Sequence, residues 1–182
     1  MGMKNLVLFL LYLVSSTIFL GTLIAADQTL IQKTCRNTLY YKLCITSLKS
    51  DPTSLTADTK GLAAIMAAIG AANATATSSY LSAQVLSGAT TNDADLKKLL
   101  KQCSEKYAFA AEALRASLRD LAAETYDYAY MHITAAADYA NVCRDGFRGL
   151  PAVPYPAKLG RREEGLKHIC GVVLGIVDLL GW

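Results

Sequence analysis

A chain of 182 residues has the size of one domain, and 53% of it is apolar against 18% charged. Its net charge of +3 is close to balance. That gives no reason to expect a nucleic-acid partner, which would need clustered Lys and Arg.

Part of the apolarity belongs to the N-terminus. Met1-Gly2-Met3-Lys4 carries one positive charge, residues 6–20 are almost uninterrupted apolar, and Ile24-Ala25-Ala26 ends in small residues. These are the three parts of a secretory signal peptide, here residues 1–26, and the apolar run is short for a membrane span of about 20 residues. The expected mature chain, 27–182, leaves the membrane on cleavage. Cys35, Cys44, Cys103, Cys143 and Cys170 all follow the leader, so they mature where disulfides persist. Two bridges and one leftover thiol is the natural arrangement, and cysteine arithmetic leaves the pairing open.

From Asp27 to Ser50 the chain reads as short helical pieces held by the nearby Cys35 and Cys44; zinc would need more Cys or His at short spacing. Asp51-Pro52-Thr53 breaks the chain. A run rich in Ala, Leu, Ile and Met then predicts a helix from Thr56 to about Leu86. Within it, Asn73-Ala74-Thr75 is a candidate N-glycosylation acceptor, with an unused tripeptide as the alternative. Ser87 to Asn92 is rich in turn formers, and Asn92 or Asp93 is placed to cap the next helix.

Leu96, Leu100, Cys103, Tyr107, Ala110, Leu114 and Leu121 recur in steps of three and four, one stripe of a helix running nearly to Glu124. A second helix carries Tyr128, Ile133, Ala136, Ala140, Cys143 and Phe147 toward one side. A turn within residues 122–125 puts Cys103 and Cys143 each about 30 Å from it, at one level of a helical hairpin. This favours a Cys103 to Cys143 bridge, and proximity favours Cys35 with Cys44. Cys170 is left as a free thiol, buried and inert. Gly149, Pro151, Pro154 and Pro156 make a loop of the stretch from Arg148. A last helix begins near Leu159, with Leu166, Ile169, Val173, Ile176 or Val177, and Leu180 on one face. Arg161-Arg162-Glu163-Glu164 near its start reads as a solvated face with internal pairs, with a binding patch as the alternative.

Four long helices with short connections define an all-α fold, an up-down-up-down four-helix bundle over 51–182 preceded by a disulfide-linked N-terminal helical hairpin over 27–50. Chemistry is sparse. His132 and His168 sit on different helices, no HExxH, GxSxG or phosphate-loop signature appears, and neither a metal nor a cofactor is expected. Tyr126, Tyr128, Tyr130 and Tyr139 read first as wedges in the bundle core and second as interface residues.

Several short stretches carry a resemblance. Cys35 spaced to Cys44, Ser50-Asp51-Pro52, Thr56-Ala57-Asp58, Gly61-Leu62-Ala63, Cys103-Ser104-Glu105 with Tyr107-Ala108, and Ala135-Ala136 ahead of Cys143 and Phe147 resemble the plant invertase and pectin methylesterase inhibitor family. The resemblance covers essentially the whole mature chain, and the cysteine framework is its specific part. It implies a four-helix bundle after a helical hairpin, with bridges joining the first two and the next two cysteines. It also implies a protein with no chemistry of its own, secreted to the cell wall or delivered to the vacuole, that blocks one target enzyme by one-to-one non-covalent binding.

Two targets follow from the resemblance. For a pectin methylesterase, one side of the bundle would lie across the substrate cleft, with Glu105 and Asp145 as acidic contacts beside the second bridge; Phe109 and Arg144 stand where acids often occur. For an acid invertase, a bundle end would enter the active site, and this chain has Tyr126-Asp127-Tyr128 where cell-wall-type inhibitors carry Pro-Lys-Phe. The segment Cys170-Gly171-Val172-Val173-Leu174 fits both. On these residues the esterase is the leading target and the invertase the alternative. A secreted ligand carrier or storage bundle is the reading from another class, against which the many alanines favour close packing over a cavity.

Overall fold

The computed structural model describes residues 30–87 and 93–181. The expected signal peptide and most of the break before Asp93 lie outside these residues. Residues 30–35 are helical, α1, and are followed by α2 at Tyr41–Ser50, α3 at Thr59–Leu86, α4 at Ala94–Ala122, α5 at Tyr126–Arg148 and α6 at Ala157–Val177.

Local chemistry sets the boundaries. A 3-10 turn, Pro52–Leu55, follows the chain break, with Asp51 accepting from Thr53 N at 2.9 Å, and residues 56–58, expected to open α3, are not helical. The long helix therefore begins at Thr59, where Asp58 accepts from Gly61 N at 2.7 Å. Asp93 caps α4 in the same way, accepting from Leu96 N at 2.8 Å. Between α4 and α5 the chain reverses through Glu124, whose φ of 60° lies in the left-handed region.

Side-chain pairings give the topology. Thr75 meets Arg115 and Ser78 meets Ser104 between α3 and α4, while Asn141 meets Lys167 and Arg144 meets Glu163 between α5 and α6. Thr77 meets Arg162 between α3 and α6. Each pairing rises along one helix as it falls along the other, so neighbours are antiparallel and the four helices close into a ring. Leu62, Met66, Leu81, Tyr107, Leu114, Ile133, Leu166 and Ile176 fill its centre. Small residues let the helices approach closely. A Cβ on Gly70 would stand 3.1 Å from Leu114 Cδ1 and 3.2 Å from Ile169 Cγ2. The α3 helix is long and apolar enough by composition to cross a membrane, yet its buried residues face the bundle core.

Disulfides join Cys35 to Cys44 and Cys103 to Cys143, and Cys170 is a buried free thiol. The N-terminal hairpin rests on α6. Tyr40 stacks on His168 with ring centroids 4.0 Å apart, and Gly175 lies under the Asn37 and Thr38 backbone.

Two expectations fail. Glu163 is not on a solvated face; it has no exposed surface. It shares the buried stripe of Leu159, Leu166, Cys170 and Val173, and its charge is met from outside the helix. Tyr128 does not face the core either, being 54% exposed. The α5 seam runs through Ala129, Ile133, Ala136 and Ala140, and Tyr128 lies about 100° around the helix from Ala129. Tyr126, Tyr130 and Tyr139 are half-buried and pack against the core.

Candidate functional site

The second bridge forms the floor of an open groove between α4 and α5, about 450 Å³ in volume. Leu99, Gln102, Glu105 and Lys106 line it from α4, and Val142, Asp145 and Gly146 from α5. Antiparallel pairing of the two cysteines brings Glu105 and Asp145, each two residues beyond its cysteine, onto opposite walls. Both carboxylates are exposed, and Asp145 accepts from Arg148 Nη1 at 3.0 Å. Phe109 continues this face, 50% exposed, with its ring centroid 5.6 Å from that of Tyr139 and Lys106 Nζ 5.6 Å above it. The groove thus combines two acids with an aromatic and aliphatic shoulder, features suited to a protein partner.

Tyr126 and Tyr128 stand elsewhere. Tyr128 lies about 25 Å from Asp145 along α5, at the end where α4 turns into α5. Two cross-helix pairs stiffen that end. Lys60 Nζ from α3 lies 2.7 Å from Glu124 Oε1, and this bond raises the lysine pKa. His132 Nδ1 lies 2.6 Å from Asp120 Oδ2, joining α5 to α4. Tyr128 and Met131, both 54% exposed, project from this braced end. The residues singled out in the sequence therefore form two separate surfaces, a side groove and a bundle end.

One feature of the α5–α6 side escaped sequence reasoning. Glu163 Oε2 accepts from Arg144 Nε at 2.8 Å and from Tyr155 OH at 2.8 Å, while Lys167 Nζ lies 3.8 Å from Oε1. Burial, and next the bond to Glu163, push the Tyr155 hydroxyl far above its ordinary pKa. The Arg144 pKa rises mainly through its bond to Glu163. Arg144, which the resemblance puts where acids often occur, is thus turned toward a structural duty. The available signal was the spacing of Glu163 from Leu159 and Leu166. Among the described residues no group of three His, Cys, Asp or Glu side chains is placed to hold a metal ion.

A rigid bundle whose histidines and buried acid serve structural pairs, and which displays acids and aromatics on an outer groove and at one end, is a binding protein. The family model for plant invertase/pectin methylesterase inhibitors matches residues 29–176, and the chain belongs to that family. It is 51% identical over 181 residues to an Arabidopsis thaliana protein named cell wall / vacuolar inhibitor of fructosidase 2, covering 98% of this chain and 99% of that one. It is 38% identical over 156 residues to pectinesterase inhibitor 28 of Oryza sativa subsp. japonica, covering 83% of this chain and 69% of the rice protein. In fold it is similar to a crystal structure of a mutant pectin methylesterase inhibitor from Arabidopsis, with a TM-score of 0.65 at 24% identity over 80% of this chain and 93% of that one. The protein is an enzyme inhibitor and not an enzyme. Its relatives bear names of both targets.

Proposed function

We propose that this protein is secreted and inhibits a plant acid invertase, a β-fructofuranosidase, by one-to-one non-covalent binding through the α4–α5 end. The observation that carries the reading is the 51% identity, over nearly the full length of both chains, to a relative named as a fructosidase inhibitor. The braced end supports it physically. Tyr128 and Met131 are large, exposed and held on a rigid helix, so little entropy is lost when a partner covers them. The Lys60–Glu124 and His132–Asp120 pairs hold the surrounding turn in place.

The test is a titration of oxidised chain 27–182 against a plant acid invertase and a plant pectin methylesterase at mildly acidic pH. Invertase activity should fall to a plateau near one equivalent. Tyr128→Ala with Met131→Ala should weaken this inhibition about tenfold or more, a loss typical of interface anchors. Full potency in that double variant removes the bundle end from the interface.

The esterase, favoured by the sequence residues alone, is the second reading. It is supported by the placement of Glu105 and Asp145 on opposite walls of one groove and by the likeness to the rice pectinesterase inhibitor. On this reading Glu105→Gln with Asp145→Asn weakens esterase inhibition and leaves the invertase untouched. Inhibition of the esterase alone by the unmodified chain would put this reading first.

A further inference from the structure

Tyr128 and Met131 are too small a surface to hold a partner by themselves. Each is about half exposed, so together they offer about 200 Å². A stable protein interface takes about 800 Å² from each partner, and the remainder must come from surface continuous with that end. Among the described residues, the large exposed apolar side chains of the four long helices are Leu86, at the last position of α3, and Phe109, Tyr128, Met131 and Val142 on α4 and α5. The α4–α5 side is therefore where an apolar contact can continue.

Helical phase joins these residues into one face. At about 100° per residue, Tyr128, Met131, Ala135, Tyr139 and Val142 fall within about 80° of arc on α5, clear of the buried seam of Ala129, Ile133, Ala136 and Ala140. Two contacts show that this arc borders α4. The Phe109 ring centroid lies 5.6 Å from that of Tyr139, and Asp120 Oδ2 lies 2.6 Å from His132 Nδ1. On α4 the same side carries Phe109, Ala113, Ala116 and Asp120, in steps of three and four. Between the two contacts the outer positions are Ala113, Ala116 and Ala135, all half-buried, so the middle of the face is a shallow saddle. Large side chains rise at either end, and Tyr128 stands about 21 Å from Val142 along α5.

We infer, on the reading that Tyr128 and Met131 meet the target, that the enzyme lies along the α4–α5 face from Tyr128 to Val142. Phe109 and Val142 are then a second pair of anchors, and the alanine saddle is the bed for one ridge of the enzyme surface. A strip two helices wide, about 20 Å, and about 21 Å long has about 400 Å² in outline before side-chain relief is counted, which the end alone cannot reach. The flank narrows the kind of ridge that fits. Asp127 and Asp138 are exposed along the outer edge of α5, and no Lys or Arg of α5 precedes Arg144. A ridge that is apolar on top and basic along that side is complementary. Glu105 and Asp145 lie about one turn beyond Phe109 and Val142, outside this contact.

The experiment titrates a plant acid invertase with oxidised chain 27–182 and its variants, each checked by thermal melting. Phe109→Ala with Val142→Ala should weaken inhibition about tenfold or more, as Tyr128→Ala with Met131→Ala does. Ala135→Arg touches neither pair and should weaken it as much, by filling the saddle. Leu39→Ala with Leu86→Ala, a larger loss of exposed apolar surface elsewhere, should leave inhibition unchanged. Loss in the Tyr128 pair with full potency in the Phe109 pair or in Ala135→Arg would confine the contact to the bundle end, overturning the extended face and sparing the invertase reading. Loss in the Phe109 pair with full potency in the Tyr128 pair would take the enzyme off the bundle end and overturn both. A comparable loss in the Leu39 pair would reduce the effect to general apolarity and overturn the extended face. A parent chain that leaves the invertase fully active overturns both.

Discussion

Arg144 on α5 places its Nε 2.8 Å from Oε2 of Glu163 on α6, and that carboxylate has no exposed surface. The pair fixes the register of two helices, and Tyr155 adds the intervening loop to the same oxygen. Removing the cation leaves a buried charge with only Tyr155 and a distant Lys167. Arg144→Met should therefore destabilise the fold by about 3 kcal/mol, the low end for a broken buried pair because the arginine is partly exposed. Replacing both partners, Arg144→Met with Glu163→Leu, should cost less than the single change. Urea unfolding of the three proteins decides; a single variant as stable as the parent would mean the pair holds nothing.

The alkaline limit of stability has identifiable sources. Burial pushes the Cys170 thiol up from its ordinary value to about 12. It also pushes the Tyr107 hydroxyl well above its usual range, with Glu163 adding to the rise. A group whose folded pKa is raised ionises first in the unfolded chain, so its stabilising effect is complete below the unfolded pKa and is lost as pH rises toward the folded one. For Cys170 the window is pH 9 to 12, with a slope of up to about 1.4 kcal/mol per pH unit. Cys170→Ala should flatten the stability profile between about pH 9 and 10, before the tyrosines contribute. Denaturant midpoints measured across that interval give the comparison, and parallel profiles would exclude the thiol.

Gly171 and Gly175 both face the N-terminal hairpin, but they meet different obstacles. A Cβ on Gly171 would lie 3.0 Å from Tyr40 Cε2, the far edge of a ring that can swing. On Gly175 it would lie 3.0 Å from Asn37 O and 3.1 Å from Thr38 Cα, which are backbone. Gly175→Ala should lift the hairpin from α6 at a cost of about 1–3 kcal/mol, and Gly171→Ala should cost less. Hydrogen exchange should speed up over 37–44 in the first variant and stay slow in α4. Uniform acceleration would show that the hairpin and the bundle open together.

The Cys103–Cys143 bridge closes a loop with a sequence separation of 40, and the shorter bridge one of 9. Chain entropy alone predicts that losing the longer bridge costs about 4 kcal/mol and the shorter about 2.6 kcal/mol. Paired Ser replacements, compared by thermal melting under oxidising conditions, should rank in that order. The reverse ranking would mean that hairpin docking, rather than loop closure, dominates.

Asn73 sits in the middle of α3 with its Oδ1 buried. A glycan there would have to leave a helix that packs against α4 and α6. Chain produced through a plant secretory pathway should show the same mass before and after N-glycan removal. A mass shift would place a glycan on the rim of α3.

Much of this was legible in the sequence, for a physical reason. Steps of three and four through Leu96, Leu100, Cys103, Tyr107, Ala110 and Leu114 can be satisfied only by a helix with one buried face, and equal spacing of two cysteines from a turn aligns their sulfurs. Glu163 was misread because charge outweighed spacing. Its stripe position was visible, but its partners, Arg144 and Tyr155, come from another helix and a loop. Tyr128 was misread by one position of helical phase, since Ala129 and Tyr128 are both apolar enough to begin the seam. The two candidate surfaces were legible as residues and not as places. Only the antiparallel pairing of α4 with α5 puts Glu105 and Asp145 on the two walls of one groove and leaves Tyr128 at the far end.

The two bridges also divide the labour of assembly. One cross-link lies within the N-terminal hairpin and the other joins α4 to α5, so α3 and α6 are tied to the rest by backbone and non-covalent contacts alone. In an oxidised chain that has yet to fold, the partners at 103 and 143 are already neighbours, and the slow search for that contact is removed. What remains is for two untethered helices to find a preassembled pair. Gly70, at the meeting of α3 with Leu114 and Ile169, marks where both must arrive against α4.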